Sequence, residues 1–199
     1  MAMWAYVDAL SFPLTVLLGL MAMTVFSAAS SALGFAIERS SFGRSHRVFD
    51  VPLDDGQYRR ELRGNVVFLV MHAVGFAALL ELGLIRGGAT GWGPFALTFV
   101  VSYFAFESSY FLLHRLMHVP AFVRFHRFHH LSRVTTPLTG LSVGPGEAFG
   151  WVVCLSLGVL ILSLFGPVSF EAWVAYLAYN FSGNIVGHSN AEFFPSRFY

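Results

Sequence analysis

The first thirty-seven residues contain an uncharged run, Ala9–Ile37, that no soluble fold of this size would tolerate on a single element. A membrane-spanning helix needs ~20 mostly apolar residues. Further uncharged runs cover Gly64–Leu80, Gly87–Phe106, Ala148–Phe170 and Ala172–Ala191. The 199-residue chain is 56% hydrophobic and only 12% charged, and its mean hydropathy is +0.65. A soluble domain is closer to one quarter charged. The predicted fold is therefore all-α: a multispan integral membrane helical bundle of about four to five apolar segments. Only helices and closed barrels satisfy their own backbone in lipid, and runs this long are helical spans. The first run is too long for a signal-peptide core and lacks a preceding basic region, so it reads as an anchor.

The order of the segments sets their sides. Glu38–Arg63 is a polar loop with Arg39, Arg44, Arg47, Arg59, Arg60 and Arg63. Arginine beside spans marks the cytoplasmic face. A second span from about Gly64 to Ile85 leads to a Gly-rich outer loop, Arg86–Pro94. A third span, starting near Phe95, returns the chain to the arginine-rich side. Ala148–Phe165 and Val168–Gly187 then form a hairpin turned by Gly166-Pro167. Eleven of the twelve arginines fall on one side by this count, with Arg86 the exception. His46 reads as solvated, His72 as packed, Glu81 and Glu171 as interfacial, and Cys154 as a small buried residue.

One stretch is not explained by membrane anchorage. ESSYFLLHRLMHVPAFVRFHRFHH, Glu107–His130, holds five of the eight histidines: His114, His118, His126, His129 and His130. Residues four apart share a helix face, so His114 pairs with His118 and His126 with His130, with His129 beside them. Pro120 ends the helix between the pairs and lets them face each other. Crowded imidazoles repel if protonated, and neutral imidazole is the commonest metal ligand. The stretch is a candidate metal cradle, a histidine-rich helical cap on the cytoplasmic side. GHSN delivers His188 to the same end.

Ligand type narrows the metal chemistry. One cysteine excludes a disulfide framework within the chain and a thiolate-rich metal site. His-Glu-x-x-His, the zinc-protease signature, is absent. So are the Glu-x-x-His pairs of soluble di-iron bundles. Imidazole suits iron, zinc, copper and nickel alike. A net charge of +1 suggests no nucleic acid partner.

YFLLHRLMH, RFHRFHH, GPGE and GHSN together resemble the fatty acid hydroxylase superfamily, which includes sterol desaturases, sterol-methyl oxidases and sphingolipid hydroxylases. The resemblance covers about Glu107–Asn190. It implies a membrane enzyme with two iron ions that hydroxylates or desaturates a lipid, an acyl chain or a sterol, drawn from the bilayer. It also implies O2 as co-substrate and an electron donor protein of cytochrome or ferredoxin type. His114 and His118 match the first histidine box, and His126, His129 and His130 the second. His188 matches the isolated histidine before a third. Glu107, two helical turns before His114, takes the place of a family acid and is expected to orient a ligand. Glu147 reads as a structural acid at the hairpin entrance, Tyr110 as packing, and Phe104, Phe111, Phe125 and Phe128 as possible substrate lining.

Two features depart from the pattern. Gly144 stands where the family tends to carry histidine before Pro-x-Glu, and no HxxHH follows GHSN. Two six-coordinate irons need roughly twelve donors, and six histidines supply part of that number. The expectation is one domain, 1–199, C-terminally incomplete. A non-catalytic or transport-type metal-binding protein is the alternative, thinly supported by His72 and Asn180 within spans. Bis-imidazole haem would need histidines on facing spans at membrane depth, whereas these cluster in a loop.

Overall fold

The computed structural model describes residues 3–194. It is helical, and its only β-type pairing among the described residues is one isolated bridge, Arg47 to Ala191. The order is α1 (Met3–Val7), α2 (Phe12–Arg39), α3 (Ser41–Ser45), α4 (Gln57–Glu81), α5 (Trp92–Met117), α6 (Val123–His126), two 3-10 turns (His129–Leu131 and Thr139–Leu141), α7 (Pro145–Ser163) and α8 (Phe170–Gly187).

Four of these, α2, α4, α5 and α7, are long and apolar enough to cross a membrane. The fifth apolar segment, α8, carries Glu171, Asn180, Ser182 and Asn184. Of these, Asn184 donates to Gly140 O at 2.8 Å and Ser182 meets Ser30 at 2.9 Å, both toward the bundle, whereas Glu171 accepts from Met3 N at the exposed start of the helix. The second span begins at Gln57, not near Gly64. Arg59, Arg60 and Arg63 thus extend its first turns rather than lying in a loop. Polarity misplaced that boundary, because Gln57 and Glu61 are charged or polar yet fully buried.

The bundle is built on α4, α5, α7 and α8, with α2 laid against α4 and α8. Its centre is aromatic. Phe68 meets Trp151 and Phe181 edge-on at 5.5 and 5.2 Å, and Phe76 meets Trp173 at 5.0 Å. Such edge-to-face pairs exceed plain area burial in worth. His72 is wholly buried among them, and its Nδ1 lies 2.7 Å from Phe68 O, as expected of a packed histidine. Where helices approach most closely, small residues allow it. A Cβ on Gly158 of α7 would sit 2.5 Å from Ser102 Cα of α5.

This arrangement brings five helix ends to one pole: the C-termini of α2, α5 and α8 and the N-termini of α4 and α7. Between α6 and α7, residues 131–144 run as a strap across that pole. The loop after α3 is tied there as well, through Val48 N to Asn190 O and paired bonds between Phe49 and Asn190.

Gly158→Val tests the close α5–α7 approach. Overpacking costs about 1–3 kcal/mol, so the variant is expected to melt at a lower temperature than the wild type in detergent.

Candidate metal centre

Each histidine reaches the pole by a different local device. His114 rides the last turn of α5, and His118 is that helix's C-cap. The turn through Pro120 reverses the chain into α6, which ends on His126. A 3-10 turn then carries His129 and His130. Successive residues of a 3-10 turn project about 120° apart, so adjacent His129 and His130 meet different neighbours.

Four rings converge. One ligand atom from each of His114, His118, His126 and His130 lies within 4.8 Å of all the others. The Nε2 atoms of His118 and His126 are each 3.0 Å from His114 Nε2. Ring centroids of His126 and His130 are 4.5 Å apart, and those of His118 and His130 5.1 Å. His126 is fully buried, His114 half-buried, and His118 and His130 face outward.

His129 departs from the five-histidine expectation. It lies outside the group of four and meets His188, with ring centroids 5.7 Å apart. The pair still adjoins the cluster, since His129 stacks on His126 at 5.4 Å. Its Nδ1 is 3.3 Å from Ser142 O, and His188 Nδ1 is 2.7 Å from Asn184 O. An Nδ1–H given to a carbonyl leaves Nε2 as the free lone pair.

The supporting carboxylate is not Glu107. Glu107 is exposed on α5 and makes no hydrogen bond to a histidine among the described residues. Glu147 takes that place: its Oε2 is 2.8 Å from His126 Nδ1, and both side chains are shut off from solvent. Tyr110 and Trp151 face the same carboxylate. Glu147 stands in the first turn of α7, where the helix dipole favours an acid. Its signals in the sequence are its place in GPGE and its position at the head of an otherwise apolar helix. Tyr110 also packs, stacked 5.2 Å from Phe106.

Of the four phenylalanines considered as lining, Phe111 borders a groove of about 440 Å³ with His114, Arg115, His118 and Val119. Phe128 and Phe125 instead abut Gly64 and Gly146.

Burial acts on the rings outside the spans in one direction. It pushes His129 down to about 3 from 6.5, helped by repulsion from His188 and His126. His130 and His188 are lowered too, chiefly by burial. Neutral, convergent, all-imidazole donors fit a divalent transition metal.

Comparison with known proteins agrees with this geometry. The fatty acid hydroxylase family matches residues 99–199. The chain belongs to that family. Protein CER1-like 1 of Arabidopsis thaliana is similar, at 31% identity over 47% of this chain and 15% of its own length. Very-long-chain aldehyde decarbonylase GL1-6 of Oryza sativa subsp. indica is 27% identical over 82% of this chain and 26% of its own length. The chain thus spans about a quarter or less of these relatives. No solved structure matches. Fatty acid hydroxylases are typically metal-dependent, and the histidine cluster lies inside the matched region.

The lowered ring affinities set a pH response. Between about 3 and 6.5 the unfolded chain binds protons at His129 that the folded chain refuses. Stability therefore falls as pH drops through that window. Metal-free protein is expected to melt lower at pH 5 than at pH 7.5, and His129→Gln to flatten the slope.

Proposed function

We propose that this protein is a membrane-bound di-iron oxygenase that hydroxylates or desaturates a lipid with O2 and an external electron donor. The observation that carries this reading is the convergence of four imidazoles at one pole of a spanning bundle, in a chain of the fatty acid hydroxylase family. The names of its plant relatives refer to very-long-chain aldehydes, which favours an alkyl chain over a sterol.

His114, His118, His126 and His130 would hold one iron. His129 and His188 would contribute to a second. Bound iron supplies the O2 activation that attack on an unactivated C–H bond requires. In hydroxylation, one oxygen atom enters the C–H bond and the other leaves as water, with two electrons and two protons consumed. Desaturation removes a second hydrogen from the neighbouring carbon instead.

The chain's own share is positional. Glu147, Ser142 O and Asn184 O anchor the Nδ1 atoms of His126, His129 and His188, so that each ring presents Nε2. Aromatic packing beneath the cluster, from Tyr110, Trp151 and Phe106, keeps bulk water out. An alkyl chain would reach the cluster through the groove beside Phe111 and Val119. Exposed Arg115, Arg124, Arg127 and Arg133 surround the pole. They suit the cytoplasmic surface and an acidic electron-carrier protein.

Two measurements test the reading. Purified protein should contain iron. His118→Ala and His130→Ala, both at exposed rings, should remove most of the iron and lipid oxidation while the helical fold stays intact. Full activity without these rings, or iron-free active protein, rules the reading out. Val119→Trp, which fills the groove, should lower lipid turnover at least several-fold and leave iron content unchanged.

A further inference from the structure

A second carboxylate controls the pole without touching a histidine. Glu61, in the second turn of α4, is 0% exposed. It accepts three hydrogen bonds: Gln57 Nε2 and Thr139 Oγ1 reach Oε1 at 2.8 and 2.7 Å, and Thr136 Oγ1 reaches Oε2 at 2.7 Å. Buried carboxylates are rare unless their acceptor sites are filled, and here they are filled by the strap. Residues of the same α4 stripe grip the strap's backbone. Gln57 also donates to Val134 O at 2.6 Å, Asn65 to Leu138 O at 2.7 Å, and Arg60 to Leu131 O at 3.0 Å. Gln57, Glu61 and Asn65 recur every four residues, one face of the helix.

What the strap carries gives this grip a purpose. Thr139 opens the turn whose next residues include Ser142, and Ser142 O is the partner of His129 Nδ1. Gly140 O receives Asn184 Nδ2, and Asn184 O is the partner of His188 Nδ1. A Cβ at Gly140 would lie 2.8 Å from Asn184 O, so strap and α8 meet backbone to backbone. Gly64, one turn beyond Glu61, has the same constraint: its Cβ would meet Phe128 and Ser142 at 2.8 Å. The Ser142 carbonyl that sets His129 is therefore held by α4, and Asn184, whose backbone carbonyl within α8 meets His188, is tied to the strap through its side chain.

We propose that Glu61 is a positioning residue for the His129–His188 pair. Through Thr136 and Thr139 it locks the strap so that Ser142 O holds His129, and secondarily so that Gly140 O, by way of Asn184, holds His188. Both rings then offer Nε2 to a metal. The proposal rests on the reading of these histidines as ligands, but the brace operates in metal-free protein and can be measured there.

The test is ring-nitrogen NMR of the full chain, labelled with ¹⁵N-histidine, metal-free, in nanodiscs at pH 7.5. Single His→Gln variants assign the signals. Wild type should show His126, His129 and His188 each as one Nδ1–H tautomer. In Glu61→Ala, His129 should lose that single state and exchange between tautomers, and His188 should broaden. His126, anchored by Glu147, should not change. Glu61→Gln, which keeps an acceptor oxygen for the threonines, should restore most of the wild-type pattern. Should Glu61→Ala fail to fold, Thr139→Val removes one bond of the brace and should shift His129 in the same sense. An unaltered His129 in every folded variant overturns the proposal, as does equal disturbance of His126. Either result leaves the oxygenase reading to stand or fall on iron content.

Discussion

His114 Nε2 lies within hydrogen-bond distance of the Nε2 atoms of both His118 and His126, and the whole pole is arranged around that crowding. Two protonated imidazoles at such a separation would repel by several kcal/mol in a partly buried setting. Burial raises the cost of the charged form further. Among the described residues the fold supplies no carboxylate to the four-ring cluster except Glu147, and that one sits behind His126, not among the four convergent ring nitrogens. Negative charge is held back from the donors, and lone pairs are turned inward. A dication satisfies such a set of donors.

Most of the scaffold could be read from residues because lipid permits few alternatives. A run such as Ala9–Ile37 must be a helix, and α2 is one. The HRLMH and HRFHH spacings place rings on shared faces, and Pro120 forces the reversal that makes them face each other. What could not be read depends on tertiary contacts. Nothing local distinguishes His129 from His130; only the 3-10 turn over Ser142 separates them. Glu107 and Glu147 are both acids at the edge of apolar helices. Which one meets a ring is decided by the α5–α7 crossing, set by Gly158 against Ser102. Glu61 sits among arginines in the sequence and so resembles a solvated loop residue. Its burial is visible only once Thr136 and Thr139 arrive from seventy-five and seventy-eight positions away.

The polar groups of the bundle follow from the same constraint. Inside a bilayer an unpaired polar side chain is costly, yet α4 and α8 carry several at their pole-facing ends. Each has a strap or helix partner: Asn65 with Leu138, Asn184 with Gly140, Ser182 with Ser30. The strap is a length of irregular backbone at the membrane edge, tolerable because protein groups satisfy it. Holding the strap and holding the rings of His129 and His188 are therefore linked tasks, performed by one set of hydrogen bonds.

The bundle contains a second recess, and its place argues against a role for it in the proposed reaction. A cavity of about 370 Å³ lies between α2, α4 and α8, bordered by Gly19, Ala22, Ala77, Trp173 and Ala178. It opens where α2 stands off: the buried residues of α2 (Ser27, Ser30, Ser31 and Gly34) all lie in its later half. Phe181 closes its inner end, seven residues before His188 on α8, or about 10 Å along a helix axis. Phe68 and His72 fill the core next to Phe181, at 5.2 and 5.8 Å. A chain seated in that cavity is screened from the ring nitrogens by packed aromatics. The groove at Phe111, by contrast, includes His114 and His118 in its own wall. The oxygenase proposed above would need its target carbon within reach of the histidine cluster and held there, and of these two recesses only the one on α5 satisfies the first condition.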